Sequence, residues 1–291
     1  MSLKLKLKEG LFRILALLPE KQGFEFYHKI QDAVNGENML QRVRSNENSY
    51  ETFQRLLGNI KISLEGKNVL EIGSGWAPVM PYFMLYFGKA RSISTFDLNR
   101  HFSKKNITRL NEVFASQYGM EVMLEPTNPY LLPSNINYFP HTNLLNVDLP
   151  EADMVFSRFV LEHVKPEDIA LMHQKFKREL KPGSTIVHLI SPSDHRAYVD
   201  SNLSLQDFLQ YSEKEWQKKQ TKFDYHNRMR LPQYLAIFQE AGMEISHVEY
   251  DQPEPNSRTY NKFKALKLHQ DFKGFSDKEL TAGSINVILK T

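Results

Sequence analysis

The chain has 291 residues and a mass of 34.0 kDa, enough for one or two domains with a large buried core. It is 41% hydrophobic, 24% charged and 12% aromatic, which excludes a disordered or fibrous protein. A net charge of +3 does not indicate nucleic-acid binding. The absence of cysteine excludes disulfides, thiolate zinc sites, iron–sulfur clusters and a cysteine nucleophile.

The N-terminus is basic and rich in leucine, which superficially suggests a signal peptide. Arg13 interrupts its apolar part, and no small-residue cleavage site follows before Pro19. No apolar run approaches the roughly 18 residues of a membrane span. We therefore expect a retained segment and a cytoplasmic protein. Packing against its own domain or a partner subunit is the expected role of this segment, and peripheral contact with an anionic membrane is the alternative.

Residues 1–65 have helical spacing and few strand signals. The first predicted helix places four apolar residues on one face: Leu11, Ile14, Leu15 and Leu18. Further helices are predicted at about residues 23–34 and 49–58, the last with Ser49 as its N-cap. We therefore interpret these residues as an N-terminal helical extension.

From residue 67 onward, short apolar strands alternate with amphipathic helices. The predicted strands cover residues 69–72, 92–96, 136–139, 154–156, 185–190, 245–250 and 285–289. The predicted helices cover residues 78–87, 102–118, 166–180 and 232–241, and a capping-box pattern lies at 276–279. A polar, aromatic segment at 191–232 interrupts the alternation. This succession predicts a mainly parallel sheet covered by helices on both faces.

The most informative stretch reads VLEIGSGWAP from Val69 to Pro78. A glycine turn after a strand can adopt positive φ and lets a ligand approach the backbone. Ligands of open parallel sheets bind at such strand ends, and Asp97, which follows the next predicted strand, can accept hydrogen bonds from ribose hydroxyls. A dinucleotide site would need a third glycine where Pro78 stands, and Glu71 would oppose a phosphate. The pattern favours a cationic nucleoside.

At these residues the chain resembles the class I S-adenosylmethionine-dependent methyltransferases. Residues 69–75 are similar to the first motif of that family and Asp97 to its acidic second motif. DMVFSRFVLEHV at 153–164 is similar to the fourth-strand motif, and LKPGS at 180–184 to the turn before the fifth strand. The resemblance implies a three-layer Rossmann-like methyltransferase fold whose mainly parallel, seven-stranded sheet ends in an antiparallel strand.

The resemblance also implies a domain organisation and a cofactor. Residues 66–291 would form the S-adenosylmethionine-binding domain, with an insertion after strand 5, at 191–232, that shapes the acceptor pocket. The implied cofactor-binding residues are Glu71, Gly73, Ser74, Gly75, Asp97, Leu98, Thr142 and Ser157. Family members often carry an acidic adenine-binding residue after the third strand, where this chain has Pro140-His141-Thr142-Asn143. Asp97 as a helix cap and Ser157 as a plain turn residue are the alternatives.

Methyl transfer needs an acceptor aligned with the carbon–sulfur bond and, for a hydroxyl acceptor, a base. The candidates for proton transfer are His163, His195 and Asp194, and those for acceptor binding are Arg158, His226, Asn227 and Arg228. A structural His163, an ion-paired Arg158 and a solvated basic loop at 226–228 are the alternatives. The histidines show no metal-ligand spacing, so the sequence predicts no metal site.

These observations favour methyl transfer from S-adenosylmethionine to a small-molecule or glycan acceptor, onto oxygen. The patterns around Trp76 and at 225–228 are similar to those of bacterial family members associated with surface-glycan synthesis. The alternatives are a catalytically inactive protein that binds the cofactor or a partner, and a nucleotide-dependent oxidoreductase. Nucleic acid is not an expected partner, and the sequence does not indicate an oligomeric state.

Overall fold

The computed structural model describes residues 2–19, 22–24, 26–27, 29–30, 39–122, 124–125 and 127–291. Its helices are α1 (Leu3–Leu17), α2 (Met39–Asn59), α3 (Val79–Tyr86), α4 (Lys104–Tyr118), α5 (Pro166–Glu179), α6 (Glu213–Lys219), α7 (Leu231–Glu240), α8 (Arg258–Lys264) and α9 (Asp277–Thr281). Its strands are β1 (Asn68–Ile72), β2 (Ser92–Phe96), β3 (Ile136–Phe139), β4 (Met154–Arg158), β5 (Thr185–Ile190), β6 (Glu244–Tyr250) and β7 (Ile285–Lys290). Part of the helix predicted at 23–34 lies outside the described residues.

The strands form one seven-stranded sheet in the order β3-β2-β1-β4-β5-β7-β6. The neighbouring pairs from β3 to β5 are parallel, whereas β7 is antiparallel to both β5 and β6. This topology confirms the predicted methyltransferase-type fold, including its antiparallel last strand. The order reverses between β1 and β4, so the carboxyl ends of β1, β2 and β4 border one crevice.

Both faces of the inner strands are buried, which explains why these strands read as continuous apolar runs. One face, with Ile93 and Val187, joins the core of α2, α3 and α4. The other face, with Leu70 and Ile186, packs against residues of α5 and α7. The sheet is therefore the middle layer of three, as predicted.

The N-terminal extension is helical, but two predicted details are wrong. Helix α1 buries Leu5, Phe12 and Leu15, while Leu11 and Ile14 face outward. Helix spacing alone could not choose between two apolar faces of one helix. Helix α2 passes through the residue predicted as its N-cap because its buried apolar positions continue on both sides of the polar stretch.

The insertion after β5 has its own small hydrophobic cluster. It contains two short 3₁₀ turns, His195–Tyr198 and Asp207–Gln210, followed by α6, whose N-terminus is closed by a capping box. Phe208 and Trp216 pack against residues of the later 258–281 segment. Contacts with this distant segment of the chain therefore hold the insertion in place. No helix among the described residues is long and apolar enough to cross a membrane.

Candidate cofactor and acceptor site

The glycine bend after β1 lies directly beside the end of β2. The Gly73 backbone N–H donates to the Phe96 carbonyl at 2.8 Å. Gly73 and Gly75 have φ angles of 81° and 60°, which favour glycine. A Cβ at Gly73 would lie 2.4 Å from a methyl carbon of Val160, whereas one at Gly75 would meet nothing within 4 Å. Gly73 therefore permits a close approach of two chain segments, and Gly75 leaves open space.

A cavity of about 460 Å³ opens beside this bend. The sequence-predicted site residues that line it are Glu71, Gly73, Ser74, Gly75, Asp97, Arg158 and His163. The crevice is open, and the bend and Asp97 border the same space. Its size lies within the range of pockets that bind small molecules and cofactors.

Asp97 is held at the end of β2 by its backbone and by a local turn. Its N–H donates to the Phe139 carbonyl at 3.1 Å, and its Oδ1 accepts from the Asn99 N–H at 2.8 Å. Ser103, rather than Asp97, caps α4, so the alternative of a helix cap is wrong. The carboxylate lies at the cavity and can accept further hydrogen bonds, as a ribose diol requires.

Glu71 is a buried carboxyl group in the wall of the cavity. The Thr95 hydroxyl donates to its Oε2 at 2.5 Å and also lies 2.7 Å from Ser74 Oγ. Burial raises the pKa of Glu71 to about 8, and the charge of Asp97 adds to this, while the Thr95 hydrogen bond and Arg158 oppose it. A cation in the cavity would favour the ionised form.

Arg158 ends β4 and brings a cation to the lining of the cavity. Its Nε donates to Ser49 Oγ at 2.7 Å, and its guanidinium lies 4.4 Å from the centroid of the Phe159 ring. Phe159 has a φ of 54°, a strained value for a bulky residue that is typical of functional sites. Burial lowers the pKa of Arg158 to about 10, against the nearby charges of Glu162 and Glu71, so it stays protonated at neutral pH.

Aromatic residues from the extension and the insertion cover this cavity. Phe223 of the insertion stacks on Tyr27 at 5.1 Å between ring centroids and contacts Phe24 edge-on at 4.9 Å. All three rings line the cavity together with Lys222. The sequence does not reveal these residues as part of the site, because no sequence pattern shows that the N-terminal extension and the insertion are in contact. The prediction that residues 191–232 lie over the site is consistent with this contact.

Three predicted cofactor-binding residues are not among those that line the cavity. For Leu98 and Thr142 cofactor binding stays a prediction, whereas Ser157 is enclosed in the core and that prediction is corrected. Leu98 is 64% exposed on the surface. The Thr142 hydroxyl donates to the Pro140 carbonyl at 3.1 Å, a contact within its own turn. Ser157 lies within β4 and is fully buried, because the strand extends two residues beyond its predicted end.

Ser157 belongs instead to a hydrogen-bonded chain through the core. Its Oγ lies 2.7 Å from His188 Nδ1, His188 Nε2 lies 3.0 Å from His173 Nε2, and His173 Nδ1 lies 2.7 Å from the Ile169 carbonyl. Because the carbonyl only accepts, His173 carries its proton on Nδ1, His188 donates to His173, and Ser157 donates to His188. Every polar atom of this chain is satisfied, so we assign it to stability.

Three histidine side chains lie close together next to the cavity. The rings of His163, His195 and His226 lie 4.6–5.3 Å apart, centroid to centroid. His163 is closely surrounded, yet it keeps access to solvent through the cavity that it lines. Burial and the charges of His163 and Lys8 lower the pKa of His195 to about 4, and burial also lowers that of His163. Both imidazoles are therefore neutral at pH 7.

With this geometry established, we compared the chain with known proteins. It is structurally similar to S-adenosylmethionine-dependent methyltransferases. One from Mesorhizobium loti is 17% identical, with 81% of this chain and 96% of that chain covered and a TM-score of 0.45. Human N-acetylserotonin methyltransferase, solved in complex with S-adenosylmethionine, is 13% identical, with 79% and 49% covered and a TM-score of 0.41. The fold assignment itself rests on the strand order described above.

Searches with protein-family models and among curated proteins find no match.

The remaining candidates hold the insertion in place. The Asp194 carboxylate accepts from Arg196 Nε and from its terminal nitrogen at 2.6 Å, which favours a structural role over proton transfer. The Asn227 amide donates to the Leu161 and Val164 carbonyls at 2.7 and 2.8 Å. Arg228 is buried and donates to the Phe208 and Tyr211 carbonyls and to Glu213. Asn227 and Arg228 do not line the cavity, so we correct the prediction that these two residues bind the acceptor.

Proposed function

We propose that this chain is an S-adenosylmethionine-dependent methyltransferase that methylates a hydroxyl group of a small molecule or glycan. The observation that carries the proposal is the cavity that joins a glycine bend, the Asp97 carboxylate and the buried Glu71 carboxyl. A ribose diol suits Asp97, and the bare backbone of Gly73 and Gly75 suits the approach of the methionine moiety. A positively charged sulfonium suits the Asp97 carboxylate and would favour the ionised form of Glu71, while Arg42, Arg158 and Lys222 also line the cavity.

In the proposed reaction, the acceptor oxygen attacks the methyl carbon of the sulfonium. The new carbon–oxygen bond forms as the carbon–sulfur bond breaks, and its electron pair returns to sulfur, which becomes a neutral thioether. The acceptor proton leaves through a neutral histidine to solvent. His163 is the candidate at the cavity, and His195 lies next to it. Their lowered pKa values make both histidines weak bases.

The basic residues of the cavity lining suit a polar or anionic acceptor. Arg42, Arg158 and Lys222 line the cavity, and guanidinium groups bind hydroxyl and phosphate oxygens well. The aromatic cover of Phe24, Tyr27 and Phe223 offers ring faces that could stack on a sugar and exclude water from the reacting sulfonium. The cysteine-free composition is compatible with action in the cytoplasm.

Transfer of a radioactive methyl group from labelled S-adenosylmethionine tests this proposal. The acceptor panel contains free sugars, nucleotide sugars and small hydroxylated compounds, and His163→Gln should lower the rate by at least about a hundredfold if His163 accepts the proton. His269→Gln, a histidine far along the chain in another turn, is the matched control. A protein that binds the cofactor but methylates no acceptor would support the catalytically inactive alternative instead.

A further inference from the structure

The turns after β4 and β5 bring together three side chains with metal-binding atoms. Glu162 and His163 lie in the 3₁₀ turn after β4, and His195 begins the turn after β5. Because β4 and β5 are parallel neighbours, these turns lie at the same edge of the sheet. One ligand atom from each of the three side chains lies within 4.8 Å of the other two. The chain spacing between them is too irregular for a sequence motif.

Backbone carbonyls fix the protonation of two of the histidines in this cluster. His163 Nδ1 lies 2.9 Å from the Tyr225 carbonyl, and His226 Nδ1 contacts the Asn227 carbonyl. A carbonyl can only accept, so each Nδ1 carries the proton and each Nε2 carries a lone pair. A carbonyl that orients a histidine in this way is the usual support of a metal ligand.

Several polar atoms of the cluster are buried without a well-formed hydrogen bond among the described residues, although two backbone N–H groups approach the Glu162 carboxylate. These atoms are both carboxylate oxygens of Glu162 and Nε2 of His226. The backbone N–H groups of Glu162 and Ser191 lower the pKa of Glu162 only in part, and burial still raises it to about 8. Leaving buried polar atoms unpaired costs about 1–3 kcal/mol each. A bound cation would satisfy the carboxylate directly.

We propose that Glu162, His163 and His195 bind a divalent transition-metal ion such as Zn²⁺, with His226 beside it. Two imidazoles and one carboxylate form a donor set that suits zinc and its neighbours better than Mg²⁺ or Ca²⁺, which favour oxygen ligands. Ligand atoms around zinc are roughly 3.3 Å apart, so binding requires the three side chains to close inward slightly.

The charges around the cluster are mixed. Lys8 acts on His195, Arg158 on Glu162 and Arg230 on His226, and these cations oppose a bound cation. The ionised form of Glu162 offsets them in part, and metal binding would displace its proton.

The bound metal would also have a role in the proposed methyl transfer, and that role rests on the proposed function. His163 lines the cavity of Gly73 and Asp97, so a metal held by His163 would lie at the acceptor end. A transition-metal ion lowers the pKa of a bound hydroxyl. In the metal-bound form His163 would be a ligand and not the base, and the acceptor hydroxyl would lose its proton to solvent.

Calorimetric titration of the chelator-treated full chain with ZnCl₂, in the absence of any cofactor, tests the metal site. We expect one ion per chain, and His163→Gln or His195→Gln should weaken binding by at least about tenfold. Co²⁺ titration of the wild-type protein should give visible absorption bands that change in each variant. His269→Gln is the matched control. Circular dichroism verifies that each variant is folded.

Absence of Zn²⁺ binding, or binding that both histidine variants leave unchanged, would overturn the metal site. The titration does not depend on S-adenosylmethionine, so a failure of the proposed methyl transfer would not be mistaken for a failure of this inference. Metal binding without methyl transfer would leave the site intact and remove only its catalytic role.

Helix α1 carries a second, independent feature, which is an exposed apolar stripe. Its members are Leu3, Leu7, Leu11, Ile14 and Leu17, and their exposure ranges from 36% to 87%. At 100° per residue they fall within an arc of about 120°. The opposite face is anchored, because Leu5, Phe12 and Leu15 are buried. The stripe therefore faces away from the core of its own chain.

Basic residues flank this stripe on both sides. Lys4, Lys6 and Arg13 are exposed, and Glu9 is the acidic residue of the helix. An amphipathic helix with an apolar face and lysines at its borders is suited to the surface of an anionic membrane. Lys8 lies on the anchored side of the helix, over the ring of Phe12, and acts on His195, so the histidine cluster lies near the anchored face and not near the stripe.

We infer that the α1 stripe binds an anionic lipid surface. Cosedimentation with vesicles of phosphatidylcholine and phosphatidylglycerol tests this, with vesicles of phosphatidylcholine alone as the comparison. Ile14→Ser with Leu7→Ser, and separately Lys4→Glu with Lys6→Glu, should each weaken binding to the anionic vesicles by about tenfold or more. These side chains are exposed, so the fold should persist.

Matched controls come from exposed residues on other helices. Leu171→Ser on α5 and Lys104→Glu with Lys105→Glu on α4 should leave vesicle binding unchanged. If the wild-type protein does not sediment with anionic vesicles, or if the controls reduce binding as much as the α1 variants do, the lipid-binding surface is refuted.

Discussion

Glu71 shows how a single buried group can link stability to ligand binding. Its pKa is raised to about 8 by burial, so the folded protein holds a proton there that the unfolded chain releases above about pH 4.5. The contribution of Glu71 to stability is therefore lost as the pH rises from about 5 to 8. A cationic ligand would reverse this cost by stabilising the carboxylate.

We predict that Glu71→Gln becomes progressively more stable than the wild-type protein between pH 5 and pH 8. The difference in the free energy of unfolding should grow by at least about 1 kcal/mol, because one pKa unit corresponds to about 1.4 kcal/mol. Urea denaturation at several pH values measures this. Glu112→Gln, at an exposed position of α4, should show no such trend, and a flat difference for Glu71→Gln would contradict the assignment.

At the same scale, the sequence identified the residues of the bend and Asp97, since both are tied to the ends of strands. It could not identify Ser157 as a core residue, because that depends on His188 and His173 of other elements. It also missed Phe24, Tyr27 and Phe223, whose contact joins segments far apart in the chain. Their role follows from the fold alone.

Most elements of the sheet were predictable because the inner strands are buried on both faces, whereas the edge strands β3 and β6 are only partly buried. Apolar runs such as those of β2, β3 and β5 have the predicted bounds. The insertion was predicted as a segment but not in its internal order. Trp216 of α6 is buried against residues of the 258–281 segment. No local sequence pattern predicts a contact between segments so far apart in the chain. Helix α1 shows a different limit, since it has two apolar faces and only one is buried.

The insertion and the sheet are joined by Asn227. Its amide donates to both ends of the turn that holds Glu162 and His163, and its backbone N–H donates to the Glu162 carbonyl at 2.8 Å. Asn227 is therefore a positioning residue that sets where the histidine cluster stands. The sequence pattern at residues 225–228 suggested acceptor binding. Its buried polar groups instead mainly attach the insertion to the turn after β4.

In the whole molecule, the strand order gathers the candidate site residues at one edge of the sheet. The strand order places the bend, Asp97 and Arg158 around one cavity. The N-terminal extension and the insertion close over that cavity through their aromatic residues. The exposed stripe of α1 lies on the same helix as Lys8, which acts on His195.

The central claim is that Asp97 binds the ribose and the Gly73–Gly75 bend binds the methionine moiety of S-adenosylmethionine. Isothermal titration calorimetry of the full chain with S-adenosylmethionine tests it most directly. We expect one molecule bound per chain, Asp97→Ala to weaken binding about ten- to hundredfold through loss of charged hydrogen bonds, and Asp148→Ala, at an exposed position, to bind normally. Absence of binding to the wild-type protein, or unchanged affinity in Asp97→Ala, would contradict the account.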